Sequence, residues 1–301
     1  MKKVSAGIDI GGTNTVFGWV ESNGDFIWKG KISTTDFEQP EEFVSEVSRQ
    51  LLDNLGNNEA VGVGIGAPNG NYYNGTIEFA PNLKWKGVVH LKELFNKHFD
   101  LPVLVTNDAN AAALGEMIYG GAKGVNNFIT VTLGTGLGSG IVSNGNLIYG
   151  HDAFAGELGH TIVVMDGREC GCGRKGCLET YASATGISKT AFEMTQKDWT
   201  SEQVAEAANN GEEWALQAFD KTAKILGFAL SNVVAITSPR IIFLFGGLAQ
   251  AGPLIFDSTR KYMEENLLEI YKNKIQILPS ALEGVDAAIL GASALVWKEI
   301  S

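Results

Sequence analysis

The 301-residue chain is 45% hydrophobic and 19% charged, and its 34 acids against 23 lysines and arginines give a formal net charge of −11. That is enough apolar material for a large buried core, and the length suits two domains. A chain this acidic lacks the clustered basic surface with which phosphate-backbone binders displace counterions, so nucleic acid is excluded as the expected partner.

The opening MKKVSAGIDIGG sets Asp9 inside what a signal peptide would need as its apolar stretch, and no export signal is expected. Residues 7–30 read as strand, glycine turn, strand, Ser22-Asn23-Gly24 turn and third strand. In the first turn, Gly11 and Gly12 lack the Cβ atoms that would keep backbone N–H groups away from a phosphate. Thr13 and Asn14 can donate further hydrogen bonds, and Asp9 can hold a hydrated magnesium ion. Taken alone, such a turn reads as a tight hairpin.

A helix over residues 40–55 and an apolar strand over 61–65 follow, the strand running into Ala67-Pro68-Asn69-Gly70. The next strand, LPVLVTND, ends on Asn107 and Asp108 and leads into an alanine-rich helix beginning near residue 109. A carboxylate at that point can face a ligand cleft and accept a hydroxyl proton. Asp and Asn are equally favoured as helix N-caps, and spacing alone supports both readings.

Residues 128–150 repeat the order of the first meander, with Ser143-Asn144-Gly145 matching Ser22-Asn23-Gly24, which reads as an internal duplication. The turn Gly134-Thr135-Gly136-Leu137-Gly138 offers the same phosphate chemistry as the first. Neither turn is a Walker A, since no Gly-Lys-Ser/Thr follows, and the second lies inside a hairpin where a dinucleotide fingerprint would open a helix. Two such turns at equivalent points of a duplicated fold suit a clamp on a polyphosphate.

All three cysteines lie in the segment that comes next, Cys170, Cys172 and Cys177, with His160 upstream. Three thiolates and one imidazole make the closed tetrahedral set of a structural zinc site. A disulfide would leave one cysteine unpaired and would need an oxidising compartment. Glu157 and Glu179 flank this set, and carboxylates with an imidazole can bind the hydroxyls of a small polyol while the metal fixes their positions. Each glutamate alone also reads as a solvated surface acid.

Helices over residues 201–236, a strand at 240–247, a helix over 253–268, a strand at 274–280 and a terminal helix over 286–298 complete the chain. The apolar run 225–256 is interrupted by Asn232, Ser238, Pro239 and Arg240, and reads as a buried helix and strand instead of a membrane span. Strands alternating with helices imply an α/β layered fold in each half, with ligands at the carboxyl ends of the strands and hinges near residues 109–123 and 280–288.

Together DIGGTNT, NDAN, LGTGLGSG, GELGH, CGCGRKGCLE and FGGLAQAG resemble the ROK family of sugar kinases and sugar-responsive repressors, within the actin-like ATPase superfamily, over essentially the whole chain. The resemblance implies a two-lobed actin-like ATPase (ribonuclease H-like) α/β fold with duplicated lobes and an interlobe cleft. Residues 1–110 with 286–301 would form the smaller amino-terminal lobe, and residues 111–285 the larger carboxyl-terminal lobe with the zinc loop. It further implies that Asp108 is the general base and that Asn82, Asn107, Asp108, Glu157, His160 and Glu179 contact sugar hydroxyls, Asn82 through a PNLxWxG stretch. His160, Cys170, Cys172 and Cys177 would hold a structural Zn2+, with His160 serving both sugar and metal. ATP and Mg2+ would meet Asp9, Gly11, Gly12, Thr13, Asn14, Gly134, Thr135, Gly136 and Gly138, with Gly246 and Gly247 beside the adenine. One departure stands out: Pro68-Asn69-Gly70 occupies a turn where the family usually has Pro-Gly.

The activity so implied is ATP-dependent phosphorylation of a hexose bound between the lobes, glucose at its 6-hydroxyl above all, by a cytoplasmic homodimer with no nucleic-acid or membrane partner. An N-acetylmannosamine or N-acetylglucosamine kinase is the alternative, needing room for an acetamido group at the sugar 2-position. A sugar-responsive repressor is the other, and the chain's start at the first strand with no helix-turn-helix ahead of it weighs against that.

Overall fold

A computed structural model describes residues 1–282 and 284–300, with the backbone alone of Val285. The chain divides into two units, one of Met1–Val125 with Leu147–Ala155 and the segment from Ala281 onward, the other of Asn126–Asn146 with Gly156–Ser280. Among the described residues no helix is long and apolar enough to cross a membrane.

In the first unit β1 (Lys3–Ile10), β2 (Asn14–Glu21) and β3 (Phe26–Ser33) form an antiparallel meander. β1 is buried almost throughout because both of its faces are covered, a pattern of central strands. Helix α1 (Pro40–Asp53) starts on a proline with Glu41 and Glu42 in its first turn, which suits the helix dipole, and it buries Phe43, Val47 and Leu51 on one face. The indole N–H of Trp19 donates to the Leu51 carbonyl at 2.8 Å, tying the sheet to that helix. β4 (Glu59–Gly66) runs parallel to β1. Three short strands, β5 (Gly70–Asn71), β6 (Thr76–Glu78) and β7 (Val88–Val89), form a separate small sheet ahead of α2 (Leu91–Asn96). β8 (Val103–Thr106) then pairs parallel to β4 and leads into α3 (Asp108–Ile118), giving the order β3-β2-β1-β4-β8.

The second unit contains β9 (Phe128–Leu133), β10 (Leu137–Ser143), β11 (Asn146–Leu147), α4 (Ala184–Thr195), α5 (Ser201–Asn209), α6 (Glu213–Thr237), β12 (Ile241–Phe245), α7 (Pro253–Asn266) and β13 (Gln276–Pro279). Its sheet order, β11-β10-β9-β12-β13, repeats that of the first, with β12 parallel to both β9 and β13. The duplication seen in the meanders is therefore a duplication of whole sheets. Two elements differ from expectation. The third strand of the second meander stops at Leu147, because the following residues join the first unit, where Tyr149 stacks on Tyr72 at 4.1 Å. Helix α4 was not expected. Gly186 and its threonines are poor helix formers, and burial of Ile187 and Ala191 behind a Ser183 cap overrides that propensity.

The terminal helix α8 (Gly284–Ile300) packs back onto the first unit, as its apolar side predicts. Glycines allow it to lie directly on the sheet: a Cβ at Gly7 would stand 2.1 Å from the Ile289 oxygen, and one at Gly64 2.0 Å from the Ala292 oxygen. On its other side a Cβ at Gly115 of α3 would meet the Gly291 Cα at 3.0 Å. This close seam keeps α3 whole within the first unit. The boundary expected at residue 110 accordingly lies at 125, the return at 281 instead of 286, and 147–155 is added, so that the units are nearly equal in length and not small and large.

Gly64→Val would drive a branched side chain into the α8 backbone, which cannot yield as a flexible side chain could. The variant should lose about 1–3 kcal/mol or more, read as a lower urea midpoint. An unchanged midpoint would contradict the seam.

Candidate active site and metal centre

Parallel strands deliver their carboxyl ends to one edge of a sheet, where α/β proteins bind ligands. In the first unit the register sets Asp9 of β1 beside Gly66 of β4, and Gly66 beside Thr106 of β8, with Asn107 and Asp108 just beyond. Gly66 leaves room between the acids: a Cβ there would lie 3.5 Å from Asp9 Oδ1 and 3.7 Å from the Asp108 Cα. The two readings of the Asn107-Asp108 pair now separate, because Asn107 is the N-cap, its Oδ1 accepting the Asn110 N–H at 2.9 Å. Asp108 is the first helical residue, and its Oδ1 accepts the Ala109 N–H at 2.8 Å. Its side chain is open to solvent yet crowded by protein. Lost hydration raises its carboxyl above the ordinary range, against the lowering effect of backbone N–H groups. Asp9 is pushed up to about 7, by burial first and then by the neighbouring charge of Asp108.

The first glycine turn closes through the Gly11 N–H on the Asn14 carbonyl at 3.0 Å, leaving Thr13 and Asn14 exposed. Gly12 lies against Asn82, whose carbonyl oxygen would be 2.7 Å from an added Cβ. Asn82 itself is exposed, held by buried Leu83 and by Trp85, whose ring lies 4.8 Å from Phe43. The turn that departs from the family pattern has Asn69 in the left-handed region at φ 51°, with its amide donating to the Glu78 carbonyl at 2.9 Å. Gly70 passes so near β8 that a Cβ would lie 2.2 Å from the Thr106 oxygen.

In the second unit the glycine turn between β9 and β10 is held from below. The Ala184 N–H donates to the Gly134 carbonyl and the Thr185 hydroxyl to the Thr135 carbonyl, both at 2.8 Å, and the Gly138 N–H donates to Thr132 Oγ1 at 3.1 Å. Gly246 ends the adjacent strand β12 at φ 104°, and a Cβ there would strike the Leu133 oxygen at 2.7 Å. Gly247 has open space around it. The turn and the Gly246-Gly247 pair thus share one sheet edge. Glu179 joins them, since its Oε2 accepts the Leu137 N–H at 3.0 Å and a Cβ at Gly136 would lie 2.3 Å from the same oxygen.

The metal-type residues converge. The ligand atoms of His160, Cys170, Cys172 and Cys177 all lie within 4.8 Å of one another. Cys172 Sγ and Cys177 Sγ are 3.7 Å apart, as are Cys170 Sγ and His160 Nδ1. A tetrahedral zinc site with bonds of about 2.0–2.3 Å has edges of about 3.3–3.8 Å, so these residues fit zinc. None of the three cysteines is paired in a disulfide, and all three face the same point as His160. Cys172 is lowered to about 6: desolvation opposes this, and hydrogen bonds from Arg174 and the other thiols outweigh it. With His160 Nδ1 facing the thiolates, Nε2 faces Glu157 Oε2 at 3.8 Å. Glu157 is exposed whereas Glu179 is half-buried, its Oε1 facing Cys170 Sγ at 3.8 Å. Gly159 brings this segment onto β10, where a Cβ would sit 2.0 Å from the Leu137 oxygen.

Sequence reasoning passed over Thr185 and Arg168, which hold the second glycine turn and the metal loop. Neither belongs to a recognisable motif, and only the fold brings them there.

Two sheets of one topology, with acids at the strand ends of one and a glycine turn in each, belong to a two-lobed actin-like ATPase fold. The ROK family profile matches residues 5–299. A glucokinase of Halalkalibacterium halodurans is 34% identical over 97% of this chain and 94% of its own, and one of Thermotoga maritima 32% identical over 98% and 97%. Among solved structures, a ROK family glucokinase from Streptomyces griseus in complex with glucose and AMPPNP superposes with a TM-score of 0.82 at 31% identity, covering 98% of this chain and 99% of that one. The chain belongs to the ROK family.

Two outcomes follow. Asp9 binds its proton more tightly in the folded chain than at its ordinary 3.8, so stability falls as pH rises from that value towards about 7. Without magnesium, Asp9→Asn should therefore raise the melting temperature relative to wild type more at pH 8 than at pH 4; an equal difference at both would contradict the raised carboxyl of Asp9. Chelating the metal should speed amide exchange across residues 160–180 while β9 stays protected, and unchanged protection of that loop would show that no ion organises it.

Proposed function

We propose that the protein is an ATP-dependent hexose kinase that phosphorylates glucose at its 6-hydroxyl. The observation that carries this reading is the pair Asp9 and Asp108 at the ends of β1 and β8, the two strands that flank β4, with Gly66 of β4 between them. The glucokinase relatives and the glucose and AMPPNP bound to the Streptomyces griseus protein support both substrates.

In this reading Asp108 accepts the proton of the attacking hydroxyl, and its raised affinity for protons suits it to that work near neutral pH. Asn107 fixes the start of α3 and thereby the carboxylate, and Asn82 and Asn107 meet sugar hydroxyls. Magnesium ATP, when bound, supplies the phosphoryl group and neutralises its charge. Asp9 holds the hydrated cation, and the turns at Gly11–Asn14 and Gly134–Gly138 offer backbone N–H groups to phosphate oxygens. Gly247, with open space around it, leaves room for the adenine beside Gly246.

His160, Cys170, Cys172 and Cys177 would hold zinc as a closed structural site, which leaves catalysis to Asp108. With Nδ1 on the thiol side, His160 would ligate the metal through Nδ1, and Nε2 would then be free to donate to a sugar oxygen beside Glu157. Glu179 completes the sugar contacts. Reduced thiolates and the need for ATP suit the cytoplasm, and the family resemblance carries the homodimer.

ADP release tests the substrate. With magnesium ATP, glucose should turn over in preference to mannose, fructose, N-acetylglucosamine and N-acetylmannosamine, whereas turnover of an N-acetylated sugar alone would overturn the choice of glucose. Asp108→Asn should lower kcat by about 10²–10⁴-fold with glucose affinity kept within a few-fold. A variant retaining most of its kcat would remove Asp108 from the role of base.

A further inference from the structure

Arg168 lies at the entrance to the metal loop, and it is a nearly buried cation, its side chain 11% exposed. All five guanidinium N–H groups are engaged. Nε and Nη2 grip the Glu193 carboxylate at 2.7 Å each, Nη1 donates to the carbonyls of Thr180 at 2.6 Å and Gly186 at 3.0 Å, and Nη2 reaches Thr190 Oγ1 at 2.8 Å. The guanidinium also lies over the Tyr181 ring at 4.6 Å, and the Arg168 backbone N–H donates to the Tyr181 hydroxyl at 2.9 Å. Its own carbonyl accepts the Gly176 N–H at 2.8 Å, next to the ligand Cys177.

What Arg168 grips is the segment 180–193, and that segment has two working edges. Immediately before it is Glu179, whose carbonyl accepts the Ser183 hydroxyl at 2.7 Å and whose carboxylate reaches the Leu137 N–H. A few residues on, Ala184 and Thr185 hold the carbonyls of Gly134 and Thr135. One side chain therefore fixes both the proposed sugar carboxylate and the proposed nucleotide turn, from the metal loop.

We propose that Arg168 is a positioning residue that couples the metal loop to both substrate contacts, through Glu179 on the sugar side and Gly134-Thr135 on the nucleotide side. The inference rests on the hexose-kinase reading. The role needs the planar fork of arginine: a lysine ammonium has three donors and cannot span Glu193, Thr180, Gly186 and Thr190 together.

Arg168→Lys is the direct test, read well below its melting transition by steady-state kinetics on glucose and ATP with zinc content measured alongside. Misplacement of groups remote from the chemistry can cost about 10²-fold, and the expected result is a roughly 10–100-fold loss of kcat/KM with KM raised for both substrates and zinc per chain unchanged. Unchanged KM values with only a lower melting temperature would reduce Arg168 to a stabilising residue, and a rise in one KM alone would break the coupling. Loss of zinc together with activity would likewise overturn it, by tracing the effect to the ion. Should the lysine variant fail to fold, Glu193→Gln, at a more exposed position, should raise both KM values to a smaller extent; no change in either would refute the proposal. If the wild type itself turns over no hexose, the kinase reading fails. Amide exchange over residues 180–186, expected to quicken in either variant, then judges Arg168 by itself, and unaltered exchange would refute its role.

Discussion

Convergence of three thiolates and one imidazole on a single point is the constraint on which the second unit's chemistry depends. The loop from Gly156 to Glu179 is anchored in the core near its ends by Leu158 and Leu178, while Ile162, 54% exposed, and Met165, 88% exposed, leave its middle little apolar burial. Its hydrogen bonds form narrow turns, such as the Cys170 N–H on the Arg174 carbonyl at 2.9 Å, and Gly176 at φ 77° passes where any Cβ would overlap the Val164 oxygen. Four side chains whose ligand atoms lie within 4.8 Å of one another fit a single ion, which would tie the two ends of the loop together and contribute folding energy. That ion would set Glu157 and His160 at one end of this loop and Glu179 at the other, and Glu179 touches the glycine turn through the Leu137 N–H.

The duplicated sheets show how one topology is put to two uses. Asp9 pairs with Val16 one step before the first turn, and Thr132 pairs with Gly138 at the corresponding step of the second. The first unit thus presents an acid where the second presents a hydroxyl that accepts the Gly138 N–H. Acids at the first sheet edge suit cation and proton chemistry; backbone donors and a hydroxyl at the second suit an anion. The supports differ as well. α8 presses on the first sheet through Gly7 and Gly64, while the metal loop and α4 brace the second.

Much of this was legible in residue order because it rests on local chemistry. The two meanders carry matching Ser-Asn-Gly turns, the strand ends carry Asp9 and Asp108, and the metal set is confined to a short segment. What was not legible depends on tertiary packing. Asn107 and Asp108 are both good caps, and only backbone geometry shows Asn107 taking that role. The unit boundary follows a glycine contact between α3 and α8, residues far apart in sequence. Helix α4 forms against its own propensity, and the five partners of Arg168 come from residues 180–193, which no motif links to position 168.

The central claim is that a metal-held loop orients the groups that bind the sugar. Calorimetric titration of glucose onto the protein as purified, after zinc removal, and after zinc is restored tests it most directly. The account predicts that affinity is lost with the metal and returns with it. Full glucose affinity in the metal-free protein would contradict it.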